Sequence, residues 1–140
     1  MVRTLHILVV EDSPGDRRLL AEALKHSKSH LHFVEDGIEA IHFLRKLEKY
    51  INAPRPSLII LDQNLPRKSG REALREIKED PDLRQIPIVI FSTSVNESDI
   101  NACYNLHANC YISKPSELDR FFTVVQEIER YWLETAQLGQ

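Results

Sequence analysis

The sequence predicts an α/β fold: a doubly wound, five-stranded parallel sheet with five helices. Two observations lead to this prediction. Five short apolar runs alternate with amphipathic segments, and three of the runs are almost continuously apolar and rich in valine and isoleucine. Strands of that kind are buried on both faces, as in a parallel sheet covered by helices on each side. The apolar runs are residues 5–10, 31–34, 58–61, 86–91 and 110–112.

Each amphipathic segment begins with a polar residue that can cap a helix, followed three residues later by an acidic residue. A side-chain oxygen at the cap accepts a hydrogen bond from the first turn, and the acidic residue interacts favourably with the helix dipole. The five expected caps are Ser13, Asp36, Ser69, Asn96 and Ser116. Alternating strands and helices imply right-handed crossovers. Of the Rossmann-like and flavodoxin-like strand orders, five units in this length favour the flavodoxin-like order 2-1-3-4-5, with strands one and three adjacent.

Length and charge narrow the classes of protein that remain. The 140 residues suit one domain, expected over 1–140 without an output domain, and the net charge of −3 provides no global attraction to nucleic acid or to an anionic membrane. No apolar stretch approaches the ~20 residues of a membrane span. Two cysteines without a C-x-x-C pair indicate reduced thiols. We therefore expect a cytoplasmic protein that binds neither nucleic acid nor membrane.

Reactive side chains follow four of the five predicted strands. Glu11 and Asp12 follow the first strand, Asp62 the third, Ser92 stands at the end of the fourth, and Lys114 follows the fifth. Ligands of open α/β sheets bind outside the carboxyl ends of the strands, where these residues would meet. Each of them alone would be an ordinary turn residue. Their joint occurrence at one edge predicts a functional site.

Three neighbouring carboxylates repel one another, and a hard divalent cation relieves that repulsion. Oxygen ligands suit Mg²⁺, which typically takes one or two carboxylates together with waters and phosphate oxygens. A carboxylate can also act as a covalent nucleophile and form an aspartyl phosphate. A lysine and a metal ion then neutralise charge on the phosphoryl group, and a hydroxyl can donate to it. The pattern predicts Mg²⁺-dependent phosphorylation of an aspartate.

These motifs, taken together, resemble the response-regulator receiver family. The resemblance covers essentially the whole chain and is carried by "LIILDQNLPRKSG", "IVIFSTS" and "CYISKP". The chain is similar, more closely, to the small receivers that partner bacterial and notably cyanobacterial phytochrome histidine kinases, through "DPDLRQIPIVIFSTS" and "IERYWLETAQL". The resemblance implies that the protein is not an enzyme. It implies a phytochrome-like kinase as one partner and an unknown downstream protein as another.

The resemblance also implies roles at the metal and phosphorylation site. Asp62 would accept the phosphoryl group. Asp12 and Asp62 would bind Mg²⁺ directly, Glu11 would act mainly through water, and the backbone carbonyl of Asn64 would be a third protein ligand. Lys114 would pair with the phosphoryl oxygens.

Further roles accompany the same resemblance. Ser92 would be a switch hydroxyl, and Tyr111 would be the aromatic residue that turns inward when Ser92 moves. Pro115 would follow a cis peptide bond. Gln63, Asn64 and Ser94, which flank the site, are expected to tune the lifetime of the phosphoryl group.

The last helix is more apolar than one buried face requires, which indicates a second buried surface. We expect a homodimer through this region; the alternative is that its aromatic residues cover the edge of their own domain. The kinase is expected to dock near the first helix. The expected dimer residues are Phe121, Phe122, Val125, Ile128 and Trp132.

Three other functions fit parts of the pattern. A phosphatase of the haloacid-dehalogenase type also uses a strand-end aspartate and Mg²⁺, but it requires a second aspartate where Asn64 stands. A flavodoxin-type electron carrier requires a phosphate-binding loop after the first strand, where this chain has acidic residues. A degenerate receiver that only binds a partner would lack acceptor residues that are present here.

Overall fold

The computed structural model describes residues 4–139. Five strands form one parallel sheet in the order β2-β1-β3-β4-β5, which confirms the predicted fold class and strand order. The strands are β1 (His6–Val10), β2 (His30–Val34), β3 (Leu58–Leu61), β4 (Ile88–Ser92) and β5 (Cys110–Ser113).

Five α-helices connect and cover the strands. They are α1 (Pro14–Ala23), α2 (Gly37–Arg45), α3 (Gly70–Glu79), α4 (Glu97–Asn105) and α5 (Leu118–Glu129). A 3₁₀ turn, Glu48–Tyr50, lies between α2 and β3. A π-helix, Arg130–Thr135, continues α5 directly, and the Ala136 N–H donates to the Tyr131 carbonyl five residues earlier. This π-helix was not predicted from the sequence.

Four of the five predicted caps are confirmed. The side chains of Ser13, Asp36 and Ser69 accept hydrogen bonds from the third residue of their helices, and Asn96 accepts one from Ser98. The prediction for Ser116 was wrong, because α5 begins one residue later, after Glu117, without a side-chain cap.

The sheet separates two layers of core. On one face, strand residues pack against α2, α3 and α4; on the other, they pack against α1 and α5. The central strands β3 and β4 are buried at every position. The edge strands are less buried, so they tolerate polar residues such as His30 and Tyr111. This arrangement leaves the carboxyl edge of the sheet as the place where polar groups meet.

The packing of α5 corrects the set of residues predicted to form the dimer interface. Phe121, Val125 and Ile128 are 3%, 0% and 3% exposed, because they form the core face of the helix against β1, β3 and β4. These three residues hold the domain together and are not available to a second copy. Phe122 and Trp132 are half-buried, and Tyr131, in edge-to-face contact with Trp132, is exposed.

None of the helices formed within residues 4–139 is both long and apolar enough to cross a membrane.

Candidate functional site

The acidic residues predicted at the strand ends lie together at the carboxyl edge of the sheet. The backbone N–H of Asp62 donates to the Val10 carbonyl at 3.1 Å, so the end of β3 is held beside the end of β1. Glu11, Asp12 and Asp62 each offer a carboxylate oxygen within 4.8 Å of the other two. Glu11 and Asp62 are buried, and Asp12 is exposed. Adjacent strands thus form one cluster from residues fifty positions apart in the chain.

Lys114 connects this acidic cluster to β5. Its Nζ atom donates to Glu11 at 2.5 Å and to Asp62 at 2.9 Å. The ammonium group is nearly excluded from solvent, with 5% of the side chain exposed. The backbone N–H of Lys114 donates to the Ser92 carbonyl at 2.7 Å, which fixes where the side chain starts. The predicted lysine is therefore in contact with the predicted phosphoacceptor.

Burial and the neighbouring charges shift the pKa values of Glu11 and Lys114 in opposite directions. Burial raises the pKa of Glu11 to about 7, although the hydrogen bond and charge of Lys114 act to lower it. Burial would lower the pKa of Lys114, but its ion pairs with Asp16, Glu11 and Asp62 outweigh that effect and raise it. The ion pairs therefore keep Lys114 charged, while burial holds the pKa of Glu11 above its usual value.

The residues after Asp62 shape the mouth of the site. The Asn64 N–H donates to Asp62 Oδ1 at 3.1 Å, and the Asn64 side-chain amide donates to Ser92 Oγ at 3.4 Å. Ser92 is fully buried. The predicted hydroxyl is therefore tied through Asn64 to the loop that carries the acceptor. The role of the Asn64 carbonyl as a metal ligand stays a prediction.

Asp16 belongs to the site and was not predicted as a site residue. It lies in the first turn of α1, and one of its oxygens accepts from Lys114 Nζ at 2.8 Å. Sequence reasoning assigned Asp16 only to the helix N-terminus. The available signal was its position: it lies four residues after Asp12, in the first turn of the helix that follows β1.

Tyr111 and Gln63 are joined behind the acidic cluster. The Gln63 side-chain amide donates to Tyr111 Oη at 2.9 Å, and Tyr111 Oη donates to the Ser94 carbonyl at 2.9 Å. The Tyr111 ring packs partly buried against the core. Its movement with Ser92 stays a prediction.

The prediction of a cis bond before Pro115 was wrong. Across the described residues, 4–139, every peptide bond is trans. The trans form is favoured before proline by about 0.5–1 kcal/mol, and a sequence does not reveal which isomer the fold selects.

The donor set fits a hard divalent cation. Three carboxylates supply oxygen ligands only, and one of them is open to solvent, where retained waters can complete the coordination. The nearby buried lysine compensates only part of the negative charge. A cation of charge two would bring Glu11, Asp12 and Asp62 close to electrical balance.

Known proteins share this fold. The family model of the response regulator receiver domain matches residues 7–126. Response regulator Rcp1 from Synechocystis sp. is 52% identical over 134 residues, which cover 94% of this chain and 91% of Rcp1. The crystal structure of the phosphorylated cyanobacterial phytochrome response regulator RcpA matches with a TM-score of 0.96 and 49% identity, over 99% of this chain and 100% of that one. The Mn²⁺-bound form of Rcp1 matches with a TM-score of 0.92 and 50% identity, over 97% and 99%. The chain therefore belongs to the response regulator receiver family.

Proposed function

We propose that this receiver accepts a phosphoryl group on Asp62 from the phosphohistidine of a sensor histidine kinase. The observation that carries the proposal is the contact between Lys114 and Asp62, inside a cluster with two further carboxylates. In the transfer, an Asp62 oxygen forms a bond to phosphorus while the bond from phosphorus to the histidine nitrogen breaks. The protein is a partner in group transfer and does not turn over a substrate as an enzyme does.

The residues around Asp62 contact both oxygens of its carboxylate. Asn64 holds Oδ1 through its backbone N–H, and Lys114 holds Oδ2. When a phosphoryl group is attached, the Lys114 ammonium is in reach of the new charge, and the Ser92 hydroxyl lies behind Asn64 at the same edge. A preorganised cation in a water-poor site stabilises developing charge more strongly than solvent does.

Mg²⁺ is the proposed cofactor. Asp12 and Asp62 would hold it directly, Glu11 through water, and the Asn64 carbonyl would complete the protein ligands. When bound, the ion neutralises charge on the phosphoryl oxygens during transfer. The Mn²⁺-bound form of the relative Rcp1 supports a divalent ion here.

The kinase is expected to dock beside α1. A surface cleft of about 430 Å³ opens there, between α1 and α5, and Lys114 and Pro115 line it together with Asp16, Leu19 and Leu118. Leu118 is 52% exposed, so an apolar rim borders the charged site. A helix of the phosphohistidine domain that covers this rim would bring its histidine to Asp62. We propose a phytochrome-type kinase, because RcpA is a phytochrome response regulator and the similar structure of AtBRR is that of a bacteriophytochrome response regulator.

The protein is proposed to form a homodimer through the end of the last helix, and to pass the signal to an unknown downstream protein. The surface differs from the stripe expected from the sequence: it consists of Phe122, Tyr131 and Trp132, which remain at least partly exposed. Sedimentation of wild type and Trp132→Ala, with and without phosphorylation, tests it. A monomer at all concentrations would contradict the dimer.

The two free thiols, Cys103 and Cys110, fit a reducing cytoplasm.

The experiment for the main proposal is treatment with acetyl phosphate, with and without Mg²⁺, followed by intact mass and a phosphate-affinity gel. We expect a single phosphoryl adduct that requires Mg²⁺ and disappears in Asp62→Asn. Asp82→Asn, an exposed aspartate at the opposite edge of the sheet, is the matched control and should be modified like wild type. Absence of any adduct in the folded wild type would leave a degenerate receiver that only binds partners. Sustained phosphomonoester hydrolysis would favour the phosphatase.

A further inference from the structure

Gln63 is a buried polar residue directly after the proposed phosphoacceptor, and both the nitrogen and the oxygen of its side-chain amide form hydrogen bonds. It is 5% exposed. Its Nε2 donates to Tyr111 Oη at 2.9 Å, and its Oε1 accepts from Arg71 Nε at 3.1 Å and from Cys103 Sγ at 3.7 Å. Burial of an amide is costly unless its donor and acceptor groups are both satisfied, as they are here. Gln63 therefore links β3 to three other elements.

The contacts of Gln63 extend into a closed ring of hydrogen bonds. Tyr111 Oη donates to the Ser94 carbonyl at 2.9 Å, and Ser94 Oγ donates to Asp99 Oδ2 at 2.7 Å. The other oxygen of Asp99 accepts from the Arg71 guanidinium, which returns to Gln63. We call these five residues the Gln63 ring. It joins the end of β3, strand β5, the loop after β4, α4 and α3.

A fully satisfied ring has few alternative arrangements, because breaking one bond leaves at least one half-buried polar group without its partner. The side chain of Arg71, for example, connects α3 to α4 through Asp99 and to the end of β3 through Gln63. Tyr111 likewise connects β5 to the loop after β4 through its hydrogen bond to the Ser94 carbonyl. A displacement of any one residue of the ring therefore strains or breaks hydrogen bonds of the other members.

The ring begins one peptide bond away from Asp62. The Gly70 N–H donates to the Gln63 carbonyl at 3.1 Å, so the backbone that carries Asp62 and Gln63 is also fixed to the start of α3. A rearrangement at Asp62 can reach Tyr111 through Gln63 without passing through Ser92.

We propose that Gln63 is a positioning residue that holds Tyr111 inward and transmits the state of Asp62 to Tyr111 and α4 through the Gln63 ring. The transmission rests on the proposed phosphorylation of Asp62; the positioning does not. The surface formed by α4, the loop before it and β5 is thereby held in one arrangement before phosphorylation.

The positioning is tested in the unphosphorylated, metal-free protein by ¹⁹F NMR after labelling with 3-fluorotyrosine. The chain has four tyrosines, so Tyr111→Phe assigns the Tyr111 signal. In Gln63→Leu we expect the Tyr111 signal to move toward the position of the signal from the exposed Tyr131. The fraction of molecules whose Tyr111 ring points outward should rise roughly two- to tenfold, which is the effect of losing one neutral hydrogen bond. Gln85→Leu, at an exposed glutamine, is the matched control and should leave the signal in place.

Arg71→Met tests whether an effect travels along the Gln63 ring or arises only from the direct contact between Gln63 and Tyr111. It also remains informative if Gln63→Leu does not fold. Arg71 bonds to Gln63 and Asp99 but has no bond to Tyr111, so an effect on the Tyr111 signal must pass through the ring. We expect a shift in the same direction as for Gln63→Leu, and little further shift in the double variant. Arg75→Met, at an exposed arginine one turn further along α3, should have none.

The transmission is tested by adding beryllofluoride with Mg²⁺, a probe for the phosphorylated aspartate. In wild type we expect the Tyr111 signal to respond, and in Arg71→Met the response should differ at least twofold. Tyr111 signals that stay at the wild-type position in both ring variants would overturn the proposal. A wild type that binds no beryllofluoride and accepts no phosphoryl group would instead refute the proposed function, while the metal-free spectra would still decide on the positioning.

Discussion

The Lys114 ammonium is the single residue on which the charge balance of the acidic cluster depends. It contacts three carboxylates, and two of them, Glu11 and Asp62, belong to side chains that are at most 9% exposed. Removing one partner of a buried ion pair leaves an uncompensated charge, which is more harmful than replacing the whole pair.

We predict that Lys114→Met lowers the free energy of unfolding by about 3 kcal/mol at pH 8 without metal, the lower end of the usual range for a broken buried pair. Without Lys114 the pKa of Glu11 rises further, because the lysine acts to lower it, and proton uptake by Glu11 limits the loss. Urea denaturation measures the effect, and saturating Mg²⁺ should restore part of it. Lys68→Met, at a surface pair with Glu76, is the control and should cost less than about 1 kcal/mol. Equal losses in both variants would contradict the assigned role.

Asp36 gives a second prediction at the residue scale, through pH. It caps α2 and pairs with Arg67. Burial acts to raise the pKa of Asp36, but hydrogen bonds from the Glu39 backbone and from Arg67 outweigh it, and the pKa lies below its usual value. A carboxylate with a lowered folded pKa stabilises the fold above its unfolded pKa, and this contribution is lost as the pH falls through the folded pKa.

In Asp36→Asn the amide oxygen can still cap α2, whereas the ion pair is lost. We expect wild type to be more stable than the variant by about 1 kcal/mol above pH 5, because Arg67 is largely exposed and its charge is screened. The difference should shrink progressively below pH 4. Chemical denaturation of both proteins across this range measures it, and a difference independent of pH would show that the ion pair contributes nothing.

At the scale of elements, the approach of α3 to β3 depends on the absence of a side chain at Gly70. A Cβ atom there would lie 2.0 Å from the Asp62 carbonyl oxygen and 2.5 Å from Gln63 Cα, and neither backbone atom can move independently of β3. The helix start is thus placed directly against the peptide that carries the acceptor.

We predict that Gly70→Ala costs about 3 kcal/mol or more of unfolding free energy, as expected for an overpacked site whose neighbours are backbone atoms. It should also slow phosphorylation by acetyl phosphate, because Asp62 shifts with the displaced strand end. Gly15→Ala is the matched control: its Cβ would have its nearest neighbour at 3.8 Å, and alanine is a better helix former. Thermal denaturation should therefore find that control neutral or slightly stabilised, and a neutral Gly70→Ala would contradict the close contact.

For the whole molecule, the acidic cluster opposes folding when no metal is bound and supports it when metal is bound. A ligand that binds only the folded state adds about 2.7 kcal/mol at a concentration one hundred times its dissociation constant. Mg²⁺ or Mn²⁺ should therefore raise the melting temperature, and EDTA should reverse the rise.

We predict that Asp12→Ala abolishes this metal-dependent rise, because it removes the exposed carboxylate of the cluster. Without metal, the variant should melt at or above the temperature of wild type, since repulsion among three carboxylates is relieved. Asp82→Ala, outside the cluster, should respond to metal like wild type. Differential scanning calorimetry compares the three proteins, and an unchanged metal response in Asp12→Ala would place the ion elsewhere.

Much of this molecule was predictable because its signals are periodic and local. Fully apolar runs identified the buried strands, capping residues identified four helix starts, and the strand order followed from the number of βα units. Since parallel strands present their carboxyl ends at one edge, the positions of Glu11, Asp12, Asp62 and Lys114 within that pattern were enough to predict that they meet.

What the sequence determined by itself is therefore the sheet, its order and the residues that come together at its carboxyl edge. Only the tertiary structure decided which apolar residues of α5 lie inside the core, that Asp16 joins Lys114 across 98 positions of the chain, and that Gln63 closes a ring with Tyr111. The physical reason is that periodicity reports one segment's buried face and ends, whereas a side chain's partner depends on how separate elements pack, which no local pattern encodes.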